Sequence, residues 1–191
     1  MPSGLPLKWE VSFLLIQAEL ASPVGLIQAL GRTGDNVMVI DIRQDDLSSA
    51  EVHALIAEHL SGMHSNSPPG HVNALAINSL QAPSVILLTA WMDGNLCGCG
   101  ALKELDPLTG EVKSMRTHSA FVGRGVGQAI LDEIVRTAHR RGYSRLLLET
   151  GTGSSFEPAH RLYQRNGFAW SSSFGEYTAT EFNVFMAKVL G

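Results

Sequence analysis

Three glycines fall within five positions of the sequence FVGRGVGQAILDEI, which covers residues 121–134 and continues into a predicted helix. The first backbone N–H groups of a helix lack intrahelical partners and lie at the positive end of its dipole, so they can bind an anion. Glycine removes the side chain that would keep an anion away from the backbone. The same composition suits a tight structural turn. Residues 123–128 are therefore interpreted either as an anion site or as a turn.

Two familiar phosphate-binding patterns do not fit this loop. A P-loop needs Gly-Lys followed by Ser or Thr, and no glycine of the chain is followed by lysine. A dinucleotide fingerprint needs Gly-x-Gly-x-x-Gly, but the last position is Gln128 when counting starts at Gly123 and Ile130 when it starts at Gly125. With both patterns excluded, what remains is a strand followed by a glycine loop and the start of a helix. Such a site would suit an anion about as long as a diphosphate.

The elements that must position this loop alternate from residue 37 onward. The segment VMVIDIR is rich in β-branched residues and predicts a strand, and LSSAEVHALIAEHLSGMH has apolar residues at helical spacing. A short second helix lies between prolines. In SVILLTAWMDGNLCGCGALKEL, Asp93 and Gly94 separate two apolar runs and predict a β-hairpin, and EVKSMRTH predicts the next strand.

The glycine loop leads into the clearest helix of the sequence. Its apolar residues form one stripe that ends before a glycine cap, namely Val126, Ala129, Ile130, Ile134, Ala138 and Gly142. A buried strand RLLLETG, a helix FEPAHRLYQRNGF and a final strand NVFMAKVL follow. The predicted order is β-α-α-β-β-β-α-β-α-β-β, which makes an α/β (α+β) fold with a mixed sheet and helices on its faces.

Composition limits the function classes that remain. The chain has 191 residues, 45% of them hydrophobic, and a net charge of −4, so one globular domain is expected without an electrostatic attraction to nucleic acid. No apolar run reaches the ~18 residues that cross a bilayer, so we expect a soluble, cytoplasmic protein. Cys97 and Cys99 are interpreted as core residues that share one face of a strand. We expect residues 1–36 to form an N-terminal extension and residues 37–191 the domain.

The region from about residue 36 to 191 resembles the GCN5-related N-acetyltransferases, the GNAT superfamily. The resemblance is carried by the strand VKSMRT, the loop VGRGVGQAIL, the strand RLLLETG and the helix AHRLYQRNGF, in this order and spacing. Further segments resemble small bacterial members of unassigned substrate. The family's loop pattern Arg/Gln-x-x-Gly-x-Gly/Ala falls on Val122, Gly125 and Gly127, so the first position departs from it. Phe156 stands where many members have Asn. The implied fold is a mostly antiparallel central sheet with helices on both faces.

The resemblance implies acetyl-CoA as co-substrate and direct attack by an amine. The cofactor-binding residues it implies lie in the strand before the loop and in the loop itself: Met115, Arg116, Thr117, Gly123, Arg124, Gly125, Val126, Gly127 and Gln128. The strand would offer backbone groups to the thioester and the pantetheine arm, with the amide near Met115 as oxyanion donor. The loop would hold the pyrophosphate, with Arg124 as its cationic ligand.

The chemistry implied by the resemblance needs an acid for the thiolate and a base for the amine. Tyr163 is the candidate acid, because it stands in the matching helix, and Glu111 and Glu149 are the alternative bases. Glu111 and Met115 are both odd-numbered and are expected on the same face of their strand. Each carboxylate alone could equally be a solvated or salt-bridged group.

Two interpretations of function stay open at the level of sequence. The first is an N-acetyltransferase acting on a small-molecule or amino-acid-like amine. The second is a non-catalytic acyl-CoA-binding or regulatory module, which the residues at Val122 and Phe156 favour, whereas Tyr163 and the glutamates favour the enzyme. No metal-binding pattern is found, so no metal is expected. We expect no nucleic-acid or membrane partner, and a homodimer is left open.

Overall fold

A computed structural model describes residues 27–33, 36–66 and 77–191, with side chains for 39–63 and 77–191. Its centre is an eight-stranded sheet in the order β1-β2-β3-β4-β5-β6-β8-β7. The strands are β1 (Ile27–Thr33), β2 (Asn36–Asp45), β3 (Val85–Met92), β4 (Asn95–Asp106), β5 (Thr109–Thr117), β6 (Arg145–Gly151), β7 (Ala169–Ser171) and β8 (Asn183–Val189). Neighbouring strands are antiparallel except β5 and β6. The predicted mixed, mostly antiparallel sheet is confirmed.

Helices cover both faces of the sheet in the described part of the chain. They are α1 (Ala50–Asn66), α2 (Ile77–Leu80), α3 (Val126–Arg140) and α4 (Glu157–Arg165). One apolar cluster joins α3 and α4 to the sheet, and a second joins α1 and α2 to the opposite face. None of these helices is long and apolar enough to cross a membrane. The element order predicted for residues 37–191 is confirmed, and the edge strand β1 is an additional element that the sequence did not predict.

Strand β1 belongs to the segment that the sequence analysis assigned to the extension. Its backbone pairs antiparallel with β2 from Ile27 opposite Ile42 to Thr33 opposite Asn36. The sheet therefore takes one strand from residues 1–36, and the domain boundary at residue 37 stays a prediction. Residues 1–26 lie outside the described residues.

Helix α3 lies unusually close to the sheet because two glycines of β4 face it. A Cβ added at Gly98 would stand 2.7 Å from Cγ1 of Val126, and one added at Gly100 would stand 2.6 Å from Cγ2 of Ile130. Contacts this short would force α3 away from the strand. The missing side chains thus fix the height of α3, and with it the height of the glycine loop, above β4 and β5.

Two β-bulges change which side chains share a face. Between β3 and β4 the register jumps from Ala90 opposite Gly98 to Trp91 opposite Leu96, which leaves Cys97 as the extra residue. Cys97 packs in the cluster with α3 and Cys99 in the cluster with α1, so the expectation that both thiols share a face is wrong. A bulge inserts one residue and so reverses the alternation beyond it. Both cysteines are free and buried, as expected for core residues.

The second bulge lies in β5, where Ser114 has φ 53° and the register against β4 shifts. Val112 packs on the α3 side, so its neighbour Glu111 faces the opposite side. Met115 also packs against the α3 cluster, and its Sδ would be 2.5 Å from a Cβ added at Gly100. Glu111 and Met115 therefore lie on opposite faces, and the prediction that they share one is wrong, because the bulge reverses the alternation.

Candidate active site

A cavity of about 410 Å³ lies where β5 and β6 stop pairing. The parallel register runs from Thr109 opposite Arg145 to Val112 opposite Leu148, and the rest of β5 continues without β6. This divergence opens a cleft between two neighbouring strands of one sheet. The cavity is lined by β5, β6, α1, α4 and the start of α3. Six predicted site residues line it, namely Met115, Arg116, Thr117, Gly127, Glu149 and Tyr163, and the other predicted site residues are not in its lining.

The first turn of α3 offers unpaired backbone N–H groups at one end of this cavity. Gly125 is the N-cap residue, with φ 85° and no side-chain hydrogen bond to the helix start. Gly123 also has a positive φ of 79°, which side chains rarely tolerate. Gly127 lines the cavity itself. An uncapped helix N-terminus with its positive dipole end is an anion-binding geometry.

The side chains of the glycine loop contribute unequally to the cavity. Val126 is 1% exposed and packs in the core, so its backbone alone is available to a ligand. Arg124 is exposed, with its guanidinium carbon 5.4 Å from the centre of the Phe121 ring. Val122 lines the cavity and is 68% exposed, an apolar side chain where the family pattern has a hydrogen-bond donor. Backbone amides and Arg124 are thus the polar groups that the loop can present.

Gln128 fastens the start of α3 to the end of α4. Its side-chain Nε2 donates to Oδ1 of Asn166 at 2.7 Å, and Nδ2 of Asn166 donates back to Oε1 of Gln128 at 2.9 Å. Nε2 of Gln128 also donates to Asp132 at 2.8 Å. With both amide atoms engaged, Gln128 has its backbone N–H left for a cofactor. The reciprocal pair fixes the start of α3 relative to the helix that carries Tyr163.

The predicted cofactor-binding residues of β5 all line the cavity, on alternating faces, whereas Glu111 of the same strand does not. Met115 turns toward α3, and Arg116 turns toward α1, where its Nη2 donates to Oε1 of Glu58 at 2.6 Å. The Oγ1 atom of Thr117 would be 3.7 Å from a Cβ added at Gly127. The backbone of these three residues runs along the cleft, whereas the side chain of Arg116 reaches the α1 side of it.

Tyr163 lies in α4 and forms part of the cavity wall. It is 6% exposed, and its ring lies 5.7 Å from the ring of Phe168, measured between centroids. Burial raises the pKa of its hydroxyl above the ordinary value of a phenol. Tyr163 therefore stays protonated at neutral pH, which is the state that a proton donor needs.

The two candidate bases lie in different surroundings. Glu111 is 1% exposed, and its Oε1 accepts hydrogen bonds from Lys113 Nζ at 3.0 Å and from the Tyr177 hydroxyl at 2.6 Å. Glu149 lines the cavity. Burial, the hydrogen bond to Glu111 and the charges of Glu111 and Glu149 together raise the pKa of Tyr177. Both carboxylates thus flank Tyr177, but Glu149 is the one that reaches the cavity.

The remaining walls come from α1 and from the segment before α4. His59 and Met63 of α1 line the cavity, and burial together with the charge of Arg116 lowers the pKa of His59 to about 4. His59 is therefore neutral at pH 7. Phe156 and Ser155 also line the cavity. The ring of Phe156 packs directly on Gly151, where it occupies the position that a side chain would take. An aromatic ring and a hydroxyl thus replace the amide of the family pattern here.

Three residues of the site were not singled out from the sequence. Lys113 follows Glu111 at a spacing of two, so strand alternation alone could have placed both on one face. Tyr177 lies between β7 and β8 and reaches Glu111 across 66 positions of the chain, which no local pattern indicates. Glu58 pairs with Arg116 across 58 positions. Such contacts depend on the packing of whole elements.

Comparison with known proteins identifies the family to which the chain belongs. The model of the acetyltransferase (GNAT) family matches residues 49–168. The chain belongs to this family. It is 44% identical over 149 residues to YsnE of Bacillus subtilis, an uncharacterized N-acetyltransferase, with 78% of this chain and 99% of YsnE covered. It is 42% identical over 149 residues to YedL of Escherichia coli, also an uncharacterized N-acetyltransferase, with 78% and 94% covered.

The fold recurs in a solved member of the family. A GNAT family acetyltransferase from Elizabethkingia anophelis, determined with acetyl-CoA bound, superposes with a TM-score of 0.59 at 19% identity, over 82% of this chain and 100% of that one. The predictions of the family, of its fold and of an acetyl-CoA-dependent acyltransferase are confirmed. In the described residues, no group of three or more His, Cys, Asp or Glu side chains is arranged to hold a metal.

Proposed function

We propose that the protein transfers the acetyl group of acetyl-CoA directly to the primary amine of a small-molecule acceptor. The observation that carries the proposal is the single cavity that brings together an uncapped helix start, the diverging half of β5, Tyr163 and Glu149. These are the anion site, the backbone donors, the acid and the base that direct acetyl transfer requires. The acceptor would lie on the side of the cavity that His59 and Met63 of α1 line.

In this proposal the cofactor lies along the cleft from α3 to the centre of the sheet. The pyrophosphate is bound by the N–H groups of the first turn of α3 and by the guanidinium of Arg124. The pantetheine arm follows the backbone of Met115, Arg116 and Thr117. Because Val122 supplies no side-chain donor, the backbone and Arg124 carry a larger share of the anion binding than in a chain with Arg or Gln there.

The proposed reaction joins the amine nitrogen to the carbonyl carbon of the thioester. Glu149 takes a proton from the ammonium group through a water molecule, and the freed amine attacks. The carbonyl oxygen becomes negative and accepts a hydrogen bond from the backbone N–H near Met115. The C–S bond then breaks, and Tyr163 protonates the thiolate and recovers a proton from the new amide nitrogen. Acetyl-CoA and an ammonium ion give the acetamide, free CoA and one proton.

Glu149 is favoured over Glu111 as the base because of what each carboxylate contacts. Glu111 is 1% exposed and holds Lys113 and Tyr177, so removing it would leave a buried cation unpaired. Glu149 lines the cavity, and because its neighbour Leu148 packs in the cluster with α3, it faces the α1 side of the sheet. We infer that Glu111, with Lys113, supports the segment that carries Tyr177, and that Glu149 handles the proton.

The test is acetyl-CoA-dependent release of the CoA thiol across a panel of amines, amino acids, polyamines and peptides, followed by Tyr163→Phe. We expect this variant to lower kcat at least ~10-fold with little change in acetyl-CoA binding, because it removes a proton donor used in the transition state. Tyr143→Phe is the matched control. Tyr143 is also buried, at 5% exposure, but its hydroxyl donates to Glu104 at 2.9 Å, away from the cavity. Turnover of Tyr163→Phe at the rate of Tyr143→Phe would refute the acid assignment.

A further inference from the structure

Unsatisfied polar atoms gather on β5, the strand that runs through the cavity. Among the described residues, the buried side-chain atoms without a hydrogen-bond partner include Glu111 Oε2, Ser114 Oγ and Arg116 Nε on this strand. Ser114 and Arg116 line the cavity. Buried polar atoms in folded proteins nearly always have partners, so such a concentration on one strand calls for an explanation. A bound ligand that supplies the missing hydrogen-bond partners would explain it.

Arg116 is the member of this group that is best placed to bind a ligand. Its side chain is 31% exposed and lines the cavity, and Glu58 of α1 holds its Nη2 at 2.6 Å. A guanidinium has five N–H donors in a planar fork. Glu58 accepts from Nη2 of Arg116, and its buried Nε has no hydrogen-bond partner in the structure. The group that matches the fork with two parallel hydrogen bonds is a carboxylate.

The other charged groups of the cavity favour a ligand that carries both signs of charge. Lys113 lines the cavity, but its ammonium is paired with Glu111 at 3.0 Å. His59 is neutral at pH 7, because its pKa is lowered to about 4, so it adds no second positive charge beside Arg116. Glu149 supplies a negative charge in the same cavity. A positive guanidinium and a carboxylate in one cavity complement a zwitterion.

We propose that the acceptor carries a carboxylate, which the Arg116 side chain binds while the acceptor's amine faces Glu149. The acceptor is then an amino acid or a closely related amino-carboxylate. This inference rests on the proposed acetyl transfer and narrows its substrate class. It gives Arg116 two separate tasks, since its backbone lies along the donor side of the cleft and its side chain turns to the α1 side.

The test compares pairs of acceptors that differ in the carboxylate alone, such as leucine with 3-methylbutylamine, histidine with histamine, and tryptophan with tryptamine. Wild-type protein should acetylate the acid of the preferred pair with kcat/KM at least ~10-fold above that of its decarboxylated partner. Arg116→Ala should lower kcat/KM for the acid at least ~30-fold, mainly through KM, and this loss should be at least ~10 times larger than the loss for the decarboxylated amine. Arg116→Lys should recover part of the loss, because it keeps the charge without the fork.

Arg43→Ala is the matched control for the loss of an arginine. Arg43 also has a buried Nε without a partner, but it lies on β2 with its guanidinium 5.1 Å from the Trp91 ring and outside the cavity lining. Its removal should leave kcat/KM for both acceptors unchanged. The affinity of each variant for acetyl-CoA is measured alongside, by thermal shift, and should equal that of wild type. An Arg116→Ala variant that loses acetyl-CoA binding would overturn the separation of the two tasks.

Each remaining outcome overturns either this inference alone or the proposed function together with it. Equal kcat/KM for both members of every pair, or a preference for the decarboxylated amines, overturns the inference while the proposed function stands. An equal loss for acids and amines in Arg116→Ala also overturns it, since Arg116 would then act on the donor or on the fold. No transfer to any amine, although acetyl-CoA raises the melting temperature, overturns the proposed function and this inference with it.

Discussion

Gly125 is the residue on which the geometry of the anion site most directly depends. It is the N-cap of α3, and its φ of 85° and ψ of 1° put it in the left-handed region. An alanine in that conformation is strained by about 1–2 kcal/mol relative to glycine. Gly125→Ala should therefore lower the free energy of unfolding by about 1 kcal/mol, and in a domain of this size lower Tm by about 2–4 °C. Relief of the strain would rotate the first turn and weaken CoA binding at least ~10-fold.

Two other glycines of the same helix separate stability from binding. Gly142 follows the C-terminal end of α3 with φ 75° and nothing within 4 Å of an added Cβ, so Gly142→Ala should cost as much stability without changing CoA affinity. Gly127→Ala should instead raise stability, also without loss of CoA affinity. Its added Cβ would stand 3.4 Å from Leu162 Cδ2, an ordinary contact, and alanine stabilises a helix by about 0.5–1 kcal/mol over glycine.

The assay is unfolding with and without CoA, which reports stability and affinity together. A ligand present at 100 times its Kd stabilises the folded state by about 2.7 kcal/mol, which raises Tm by about 5–10 °C here. Gly142→Ala and Gly127→Ala should keep this ligand-induced rise, because the family pattern accepts alanine at Gly127. Gly125→Ala should lose much of it. Equal rises for Gly125→Ala and Gly142→Ala would refute the assignment of the anion site to this helix start.

Lys113→Met should destabilise the fold by about 3–5 kcal/mol, because it leaves the buried Glu111 carboxylate without its cation, and urea unfolding measures the change. Arg161→Met, which removes the 60%-exposed partner of Glu157, is its control and should cost at most about 0.5 kcal/mol. The folded-state pKa of His59 is lowered from 6.5 to about 4. Because the unfolded chain then binds a proton more readily than the folded one, the free energy of unfolding is unaffected by His59 above pH 6.5 and falls as the pH drops toward 4. Between pH 7.5 and 5 this removes about 2 kcal/mol of wild-type stability, and a His59→Gln variant that loses as much would contradict the assignment.

Local signals in the sequence predicted the elements around the loop well. The hairpin expected at Asp93 and Gly94 joins β3 to β4, and both residues have positive φ values of 49° and 79°. Helix α3 begins at Val126, ends at Arg140 and is followed by Gly142 in the left-handed region, as its apolar stripe and glycine cap predicted. These features depend on nearest neighbours, which is why one sequence suffices to predict them.

Features set by long-range packing were not predicted from the sequence. The bulges at Cys97 and Ser114 reversed two predicted faces, and neither residue type signals a bulge, since strand alternation assumes an unbroken register. The contact of Tyr177 with Glu111 requires the segment between β7 and β8 to fold across the sheet. Strand alternation also gave no reason to separate Glu111 from Glu149, whereas burial in the folded protein does.

The groups proposed for the donor and the walls proposed for the acceptor come largely from different parts of the chain, with Arg116 and Glu149 as the acceptor groups that lie in the donor stretch. The groups proposed to handle the donor, from Met115 through the α3 start to Tyr163, lie on one contiguous stretch of fewer than fifty residues. The walls on the acceptor side come from α1, with His59 and Met63, which precedes that stretch in the chain. Under the proposed function, substitutions in α1 should therefore change which amine is accepted without touching the cofactor. The acceptor of such a protein can then change, in evolution or by design, while acetyl-CoA remains the donor.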